Sequence, residues 1–203
     1  MLTWPDNRRD QYGISASWLW QADSLTQLQL TGRADYFSSV LTTTEAKQHV
    51  GIFSSNFSSR NDLLKNVSAQ ITRKLGRRIK VTAGAGYAER MPTASELFGF
   101  YLFNASDGYD YIGNPYLKPE QSLQADLAVL YSWKRSRVQL SGYYSGVKNF
   151  IAGGINHSMS SMTIGAKGVK TYYNINAATV AGAEASGFFK PVNAIDIVTT
   201  VRY

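Results

Sequence analysis

Residues 87–130 read YAERMPTASELFGFYLFNASDGYDYIGNPYLKPEQSLQADLAVL. At its front, Tyr87 closes a run in which apolar and polar residues alternate. At its back, alternation restarts at Ser122 and carries Leu123, Ala125, Leu127 and Val129 on one side, Gln124 and Asp126 on the other. A period of two marks a strand with one apolar and one wet face. Between the strands lies a long aromatic connection, from about Glu89 to Gln121.

The same grammar extends both ways. Upstream, Val67, Ala69 and Ile71 oppose Ser68, Gln70 and Thr72, a turn is expected at Leu75-Gly76-Arg77, and Ile79, Val81, Ala83 and Ala85 lead back to Tyr87. Residues 38–61 are polar and predict a long loop with strand extensions. Before it stand two more alternating runs, Tyr12, Ile14, Ala16, Trp18 and Trp20, then Leu28, Leu30, Gly32, Ala34 and Tyr36; only Leu19 breaks the pattern. Arg33 and Asp35 share the polar face of the second run, an arrangement that suits a wet wall and is costly in lipid. Downstream, a turn at Lys134 to Arg137 joins a strand ending at Trp133 to one through Val138, Leu140, Gly142 and Tyr144. A connection over 151–171 and a turn at Lys190 to Asn193 separate the last runs.

About eight strands result, and their connections alternate in length. Turns near 23, 76, 136 and 192 are short; connections near 50, 105 and 160 are long. A soluble sandwich has no reason to sort its loops this way, whereas a transmembrane barrel has short turns on the periplasmic side and long loops outside. The expected fold is therefore all-β, an antiparallel transmembrane β-barrel wall.

Composition agrees. Hydrophobic residues make up 44% of 203, aromatics 13%, with 13 tyrosines and 17 glycines, yet no apolar run nears the ~20 residues of a spanning helix. Without cysteine there is no disulfide or thiolate metal site. The net charge of +7 attracts anions, but much of it falls in two turns, 73–78 and 134–137, and no nucleic-acid fold accompanies it. Head groups beside a bilayer account for these cations, so no nucleic-acid partner is expected. The start, MLTWPDNRRDQYG, lacks a secretory h-region, which leads to the expectation that the sequence is incomplete at its front.

Arg90, Pro92, Glu96 and Leu97, followed by Gly113, Asn114, Pro115, Tyr116, Leu117, Lys118, Pro119, Glu120 and Ser122, resemble the late-barrel signature of TonB-dependent outer-membrane receptors. DQYGISASWLWQADSLTQLQLTGRADYF resembles an earlier hairpin of that barrel. YYNINAATVAGAEASGFF, with Asn174, Gly182 and Glu184, resembles a later strand. The resemblance implies that 1–203 is a partial barrel of the 22-stranded type, without a plug domain, from a receptor of the Gram-negative outer membrane. It further implies uptake of a metal complex such as a ferric siderophore, haem or cobalamin, and the TonB complex, a plug domain, the lipid bilayer and lipopolysaccharide as partners. No cofactor and no catalysis are implied.

Physical roles stand beside the resemblance. Pro115 and Pro119 fix φ and withhold donors, as a stiff loop requires; Gly113-Asn114 are expected to supply the positive φ of a tight turn. Arg90 and Glu96 are expected to anchor the loop base to charges of the inner wall. Phe98, Phe100, Tyr101, Phe103, Tyr109 and Tyr111 are candidates to grip a ligand, against the plainer reading that they pack on one another. His157, Met159 and Met162 form the only soft-ligand cluster, of a kind that suits copper(I) in a copper-type receptor. Two rival classes stand beside it: an outer-membrane hydrolase using His49 or His157, which lacks any base-nucleophile motif, and a complete small barrel with a structural or adhesion role.

Overall fold

The computed structural model describes residues 4–54 and 57–203. In chain order its elements are β1 (Asn7–Gln21), β2 (Thr26–Leu41), helix α1 (Thr44–Gly51), β3 (Ser59–Leu75), β4 (Ile79–Arg90), helix α2 (Ala94–Phe98) and the short β5 (Leu102–Asn104) and β6 (Tyr109–Ile112). Then come β7 (Glu120–Trp133), β8 (Ser136–Ile155), β9 (Val169–Val192) and β10 (Ile195–Arg202). The long strands follow one another as antiparallel neighbours, β1-β2-β3-β4-β7-β8-β9. The other edge of β9 takes β10 along Glu184–Val192 and, near its start, β6 in parallel at Val169–Thr171.

Strand register carries the alternation across the whole sheet. On one face Leu30 lies opposite Trp18 and Ala69, Ala69 opposite Ala85, Ala85 opposite Ala125, and Ala125 opposite Tyr144. Among the described residues nothing covers that face: Ile14 is 77% exposed, Val67 60% and Leu123 66%. Water is a poor surrounding for so broad an apolar surface, and hydrocarbon a good one. The opposite face is tied together by hydroxyls and charges. Ser17 bonds Thr31 at 3.1 Å, Thr72 bonds Thr82 at 3.2 Å and Ser122 bonds Ser145 at 2.8 Å. Arg33 forks onto Asp35 through Nε and Nη2, both at 2.6 Å, and Gln11 adds a third donor at 3.0 Å. Gly13 makes room for that carboxylate, since a Cβ there would lie 2.3 Å from Asp35 Oδ1.

The arc stays open. β1 is its edge on one side, β10 and the short β5 end it on the other, and neither pairs with β1, so the complete eight-stranded barrel is not what these strands form. Lipid tolerates no bare ladder, and an arc of a larger cylinder is the reading that remains.

The strands outrun the bilayer on the long-loop side. A membrane strand needs about 9–11 residues, whereas β8 has 20 and β9 has 24. The expected loop over 38–61 is accordingly shorter: β2 reaches Leu41, β3 begins at Ser59, and α1 fills part of the gap, capped by Thr43, whose Oγ1 accepts the Ala46 N–H at 3.1 Å. Likewise the connection expected over 151–171 narrows to 156–168.

Among the described residues the hydrophobic core lies at this end. Leu41, Leu97 and Leu117, each 1% exposed, join Phe37, Val50, Phe57, Met91, Phe98 and Ile151 beneath the long connections. Each such side chain contributes roughly 1.5–3 kcal/mol on burial, so the loops are a folded cap and not a fringe.

Candidate functional site

The cap is built from the 91–119 connection, braced by α1 and the 156–168 loop. Thr93 starts α2 with a capping box: its Oγ1 accepts the Glu96 N–H at 3.2 Å, and Glu96 Oε2 accepts the Thr93 N–H at 2.6 Å. The T-x-x-E spacing was visible in the sequence and signals a helix start. At the loop base Arg90 lies opposite Glu120 of β7, on the polar side of the wall with Ser122 and Gln124, the kind of inner-wall charge expected for it. It ties α2 to the start of β7, with Nε on Glu120 at 2.6 Å and its two terminal nitrogens on Glu96 at 3.0 and 3.2 Å. Glu120 and then Glu96 raise the Arg90 pKa further above its usual value. Burial pushes the Glu120 carboxyl up, but Arg90 and the Ile151 N–H, 2.8 Å away, outweigh it and hold it below the ordinary range.

Gly113 and Asn114 correct the expectation of a positive-φ turn, since neither has positive φ. The need for glycine is steric: a Cβ at 113 would lie 2.6 Å from Leu97 C and Phe98 N. The chain crosses α2 in contact, with Gly113 N–H on Gly99 O at 2.7 Å and Asn114 N–H on Glu96 O at 2.8 Å. Asn174 of β9 then clasps the motif. Its Oδ1 accepts the Lys118 N–H at 2.8 Å, while its Nδ2 donates to Lys118 O at 3.0 Å and Asn149 O at 2.6 Å. Arg60, which sequence reasoning passed over, pairs with Asp62 and donates to the Leu117 carbonyl. Pro92, Pro115 and Leu117 are buried, and Lys118 is exposed.

The aromatic candidates divide into two groups. Phe98 and Phe100 are 3% and 8% exposed. Phe98 lies 5.6 Å from Phe57, and Phe100 contacts Phe53, Tyr101 and His49 at 5.3, 5.1 and 5.6 Å between ring centres. Tyr101, at φ +49°, packs edge-on against both Phe100 and Phe53 at the margin of this cluster, and Phe103 is 47% exposed. Tyr109 and Tyr111 instead face Lys170, whose Nζ sits 4.4 Å over the Tyr109 ring and 2.6 Å from Asp107 Oδ2. Asp107 also accepts the Tyr111 hydroxyl at 2.8 Å. Lys170, ahead of Tyr111 and the Asp107 turn, holds the Asp107 carboxyl below its usual range.

His157 and Met162 are exposed and Met159 half-buried, all in the 156–168 loop. That loop is pinned by Asp110, 0% exposed, whose Oδ2 accepts the Met162 and Thr163 N–H groups at 2.9 Å each. Among the described residues no group of three or more His, Cys, Asp or Glu side chains is placed to hold a metal ion. Among the described residues the Nδ1 of His49 is buried without a hydrogen-bond partner.

An antiparallel wall, apolar outside and polar inside, with short turns at one end and a folded cap at the other, defines an arc of an outer-membrane-type barrel. The chain belongs to the TonB-dependent receptor family: the family model described as TonB dependent receptor-like, beta-barrel, matches residues 2–202. No curated protein matches the sequence. Among solved structures, the copper transporter OprC superposes with a TM-score of 0.76 at 21% identity, over 98% of this chain and 28% of its own. The siderophore receptor PirA from Pseudomonas aeruginosa gives 0.60 at 14%, over 97% and 43%. A double mutant of the Serratia marcescens hemophore receptor HasR, in complex with its hemophore HasA and heme, gives 0.71 at 14%, over 96% and 34%. The chain thus spans between 28% and 43% of the length of these three receptors, and at such identities the likeness is one of fold.

Proposed function

We propose that this chain forms part of the wall and the outer mouth of a Gram-negative outer-membrane receptor that imports a metal complex, such as a ferric siderophore, haem or cobalamin. The TonB complex supplies the energy, and a plug domain lying outside residues 1–203 gates the lumen. The observation that supports this reading best is the folded cap: long connections with a core of their own stand over one end of a polar wall. Tyr101, Tyr109 and Tyr111, which keep part of their surface open, are the aromatic residues suited to touching a ligand; Phe98 and Phe100 support them from below. The role is transport and not catalysis. Uptake of labelled ferric siderophore, haem, cobalamin and copper into cells with and without the gene, in TonB-positive and TonB-negative backgrounds, tests it. One cargo is expected to depend on both; uptake of all four that ignores the gene or TonB defeats the reading.

A second reading, copper as cargo, is favoured by the pinning of Met162 through Asp110 in the loop that also holds His157 and Met159. OprC, a copper transporter by description, shares the fold. Copper(I) titration of the wild type against the Met159→Ala/Met162→Ala double variant decides it, and unchanged affinity removes copper from the list of cargoes.

A further inference from the structure

The chain's charge is not spread over the barrel. Five cations crowd the β3–β4 hairpin: Arg73, Lys74, Arg77, Arg78 and Lys80. Lys134, Arg135 and Arg137 flank the β7–β8 turn, and Lys190 stands near the end of β9. Only Asp23 and Asp196 oppose them at that end. Of 21 cations and 14 acids, nine and two lie here; twelve of each remain, so the whole net charge of +7 sits on the short-turn rim.

The neighbourhood fixes what such a rim meets. The apolar face runs straight into it: Ile71 precedes Arg73 on the outward side of β3. Rings border the same end, with Trp18 and Trp20 stacked at 5.9 Å and Trp133 between Tyr131 at 5.5 Å and Phe189 at 5.8 Å. Tryptophan and tyrosine mark the depth where hydrocarbon gives way to head groups. Arg73, Arg77, Arg78, Lys134 and Arg135 are all exposed there. Lys190 is occupied by Asp196 at 3.0 Å.

We infer that the short-turn rim is a binding surface for anionic phospholipid of the periplasmic leaflet, with Arg73, Arg77 and Arg78 on one hairpin and Lys134 and Arg135 on another taking the phosphates. The inference rests on the barrel wall and its orientation, and is independent of which cargo the receptor imports. Two hairpins separated along the rim by the β4–β7 pair give two contact points, each on a backbone already fixed by the sheet.

The test uses the whole outer-membrane protein that carries this chain, released from neutral detergent into a native mass spectrometer after titration with phosphatidylglycerol or phosphatidylcholine. Phosphatidylglycerol is expected to be retained at least about tenfold better, the preference falling as salt screens the rim. Arg73→Gln/Arg77→Gln/Arg78→Gln/Lys134→Asn/Arg135→Gln is expected to bring it to the phosphatidylcholine level, since each cation contributes up to roughly fivefold. Arg→Lys replacement at 73, 77, 78 and 135 keeps the charge and is expected to keep the preference. Five neutral substitutions at the other end, at Arg8, Arg9, Lys47, Lys65 and Lys148, are expected to leave it intact. Equal retention of both lipids by the wild type overturns the inference, as does loss of preference in the Arg→Lys or long-loop-end variants. Displacement of the lipid by soluble glycerol phosphate overturns it in favour of a site for free phosphate esters.

Discussion

Asp110 is the residue whose replacement shows how the cap is held. Its carboxylate is fully buried, and a single oxygen accepts the N–H groups of Met162 and Thr163 in the middle of the 156–168 loop, whose far end Lys167 ties to Gly108 and Asp107. A hydrogen bond to a charged group contributes roughly 1.5–3 kcal/mol, so Asp110→Ala withdraws about 3–6 kcal/mol from the closed loop. Asp110→Asn is milder. An amide oxygen can accept both N–H groups, while the amide nitrogen takes the place of Oδ1, which has no partner among the described residues; a buried donor left so costs about 1–3 kcal/mol. Hydrogen exchange on the whole protein reads these amounts locally. At about 1.4 kcal/mol per tenfold, exchange at Met162 and Thr163 is expected to quicken on the order of 100-fold or more in Asp110→Ala and some tenfold in Asp110→Asn, with the strands below unchanged. Acid acts in the same sense. Burial raises the Asp110 carboxyl, but the Thr163 and Met162 donors outweigh it and the net shift is downward. A depressed carboxyl stabilises above its unfolded value near about 3.9 and loses that contribution as pH falls through its lower folded value. The loop should thus stay closed at pH 5 and open only below about pH 4. Unaltered exchange at Met162 and Thr163 in Asp110→Ala refutes this account of the loop.

Three further outcomes test the remaining assignments. Leu127→Arg on the outward face of β7 should cost about 2–4 kcal/mol in a bilayer, whereas Ser141→Arg on the inward face, opposite Glu184 in register, should cost little; urea unfolding in vesicles compares them, and equal losses contradict the sidedness of the wall. Gly113→Ala forces its methyl into the α2 backbone and should cost about 1–3 kcal/mol, read as faster proteolysis within 94–98; wild-type resistance there shows that the crossing is loose. Asn174→Ala removes three hydrogen bonds that hold Lys118 and the left-handed Asn149. Exchange at Lys118 should quicken by about tenfold, at roughly 0.5–1.5 kcal/mol per bond, and an unchanged rate refutes the clasp.

Strands of 20 and 24 residues carry β8 and β9 past the membrane and into the cap, and Asn149, Ile151, Asn174 and Lys170 on those extensions contact the 91–119 connection or line its core. The loop end is therefore continuous with the barrel. Lys170 joins Tyr109 and Asp107 of the connection to β9, the strand that also carries Asn174.

What the residues alone determined is the wall. A period of two survives translation into structure because each strand has only two faces and lipid accepts only one of them, so Trp18, Leu30 and Leu127 announce their side without knowing their neighbours. The short turns, with Gly76 at φ +75°, and the two lengths of connection are equally local. What tertiary structure decided is everything that depends on segments far apart in sequence. Gly113 is glycine because α2 passes beneath it and not because of its own φ; Arg90 joins Glu96 of α2 to Glu120 of β7, thirty residues on; and the buried Asp110 finds its donors at residues 162 and 163. Such choices are made by which groups burial brings within hydrogen-bond reach, and one-dimensional spacing holds no record of that.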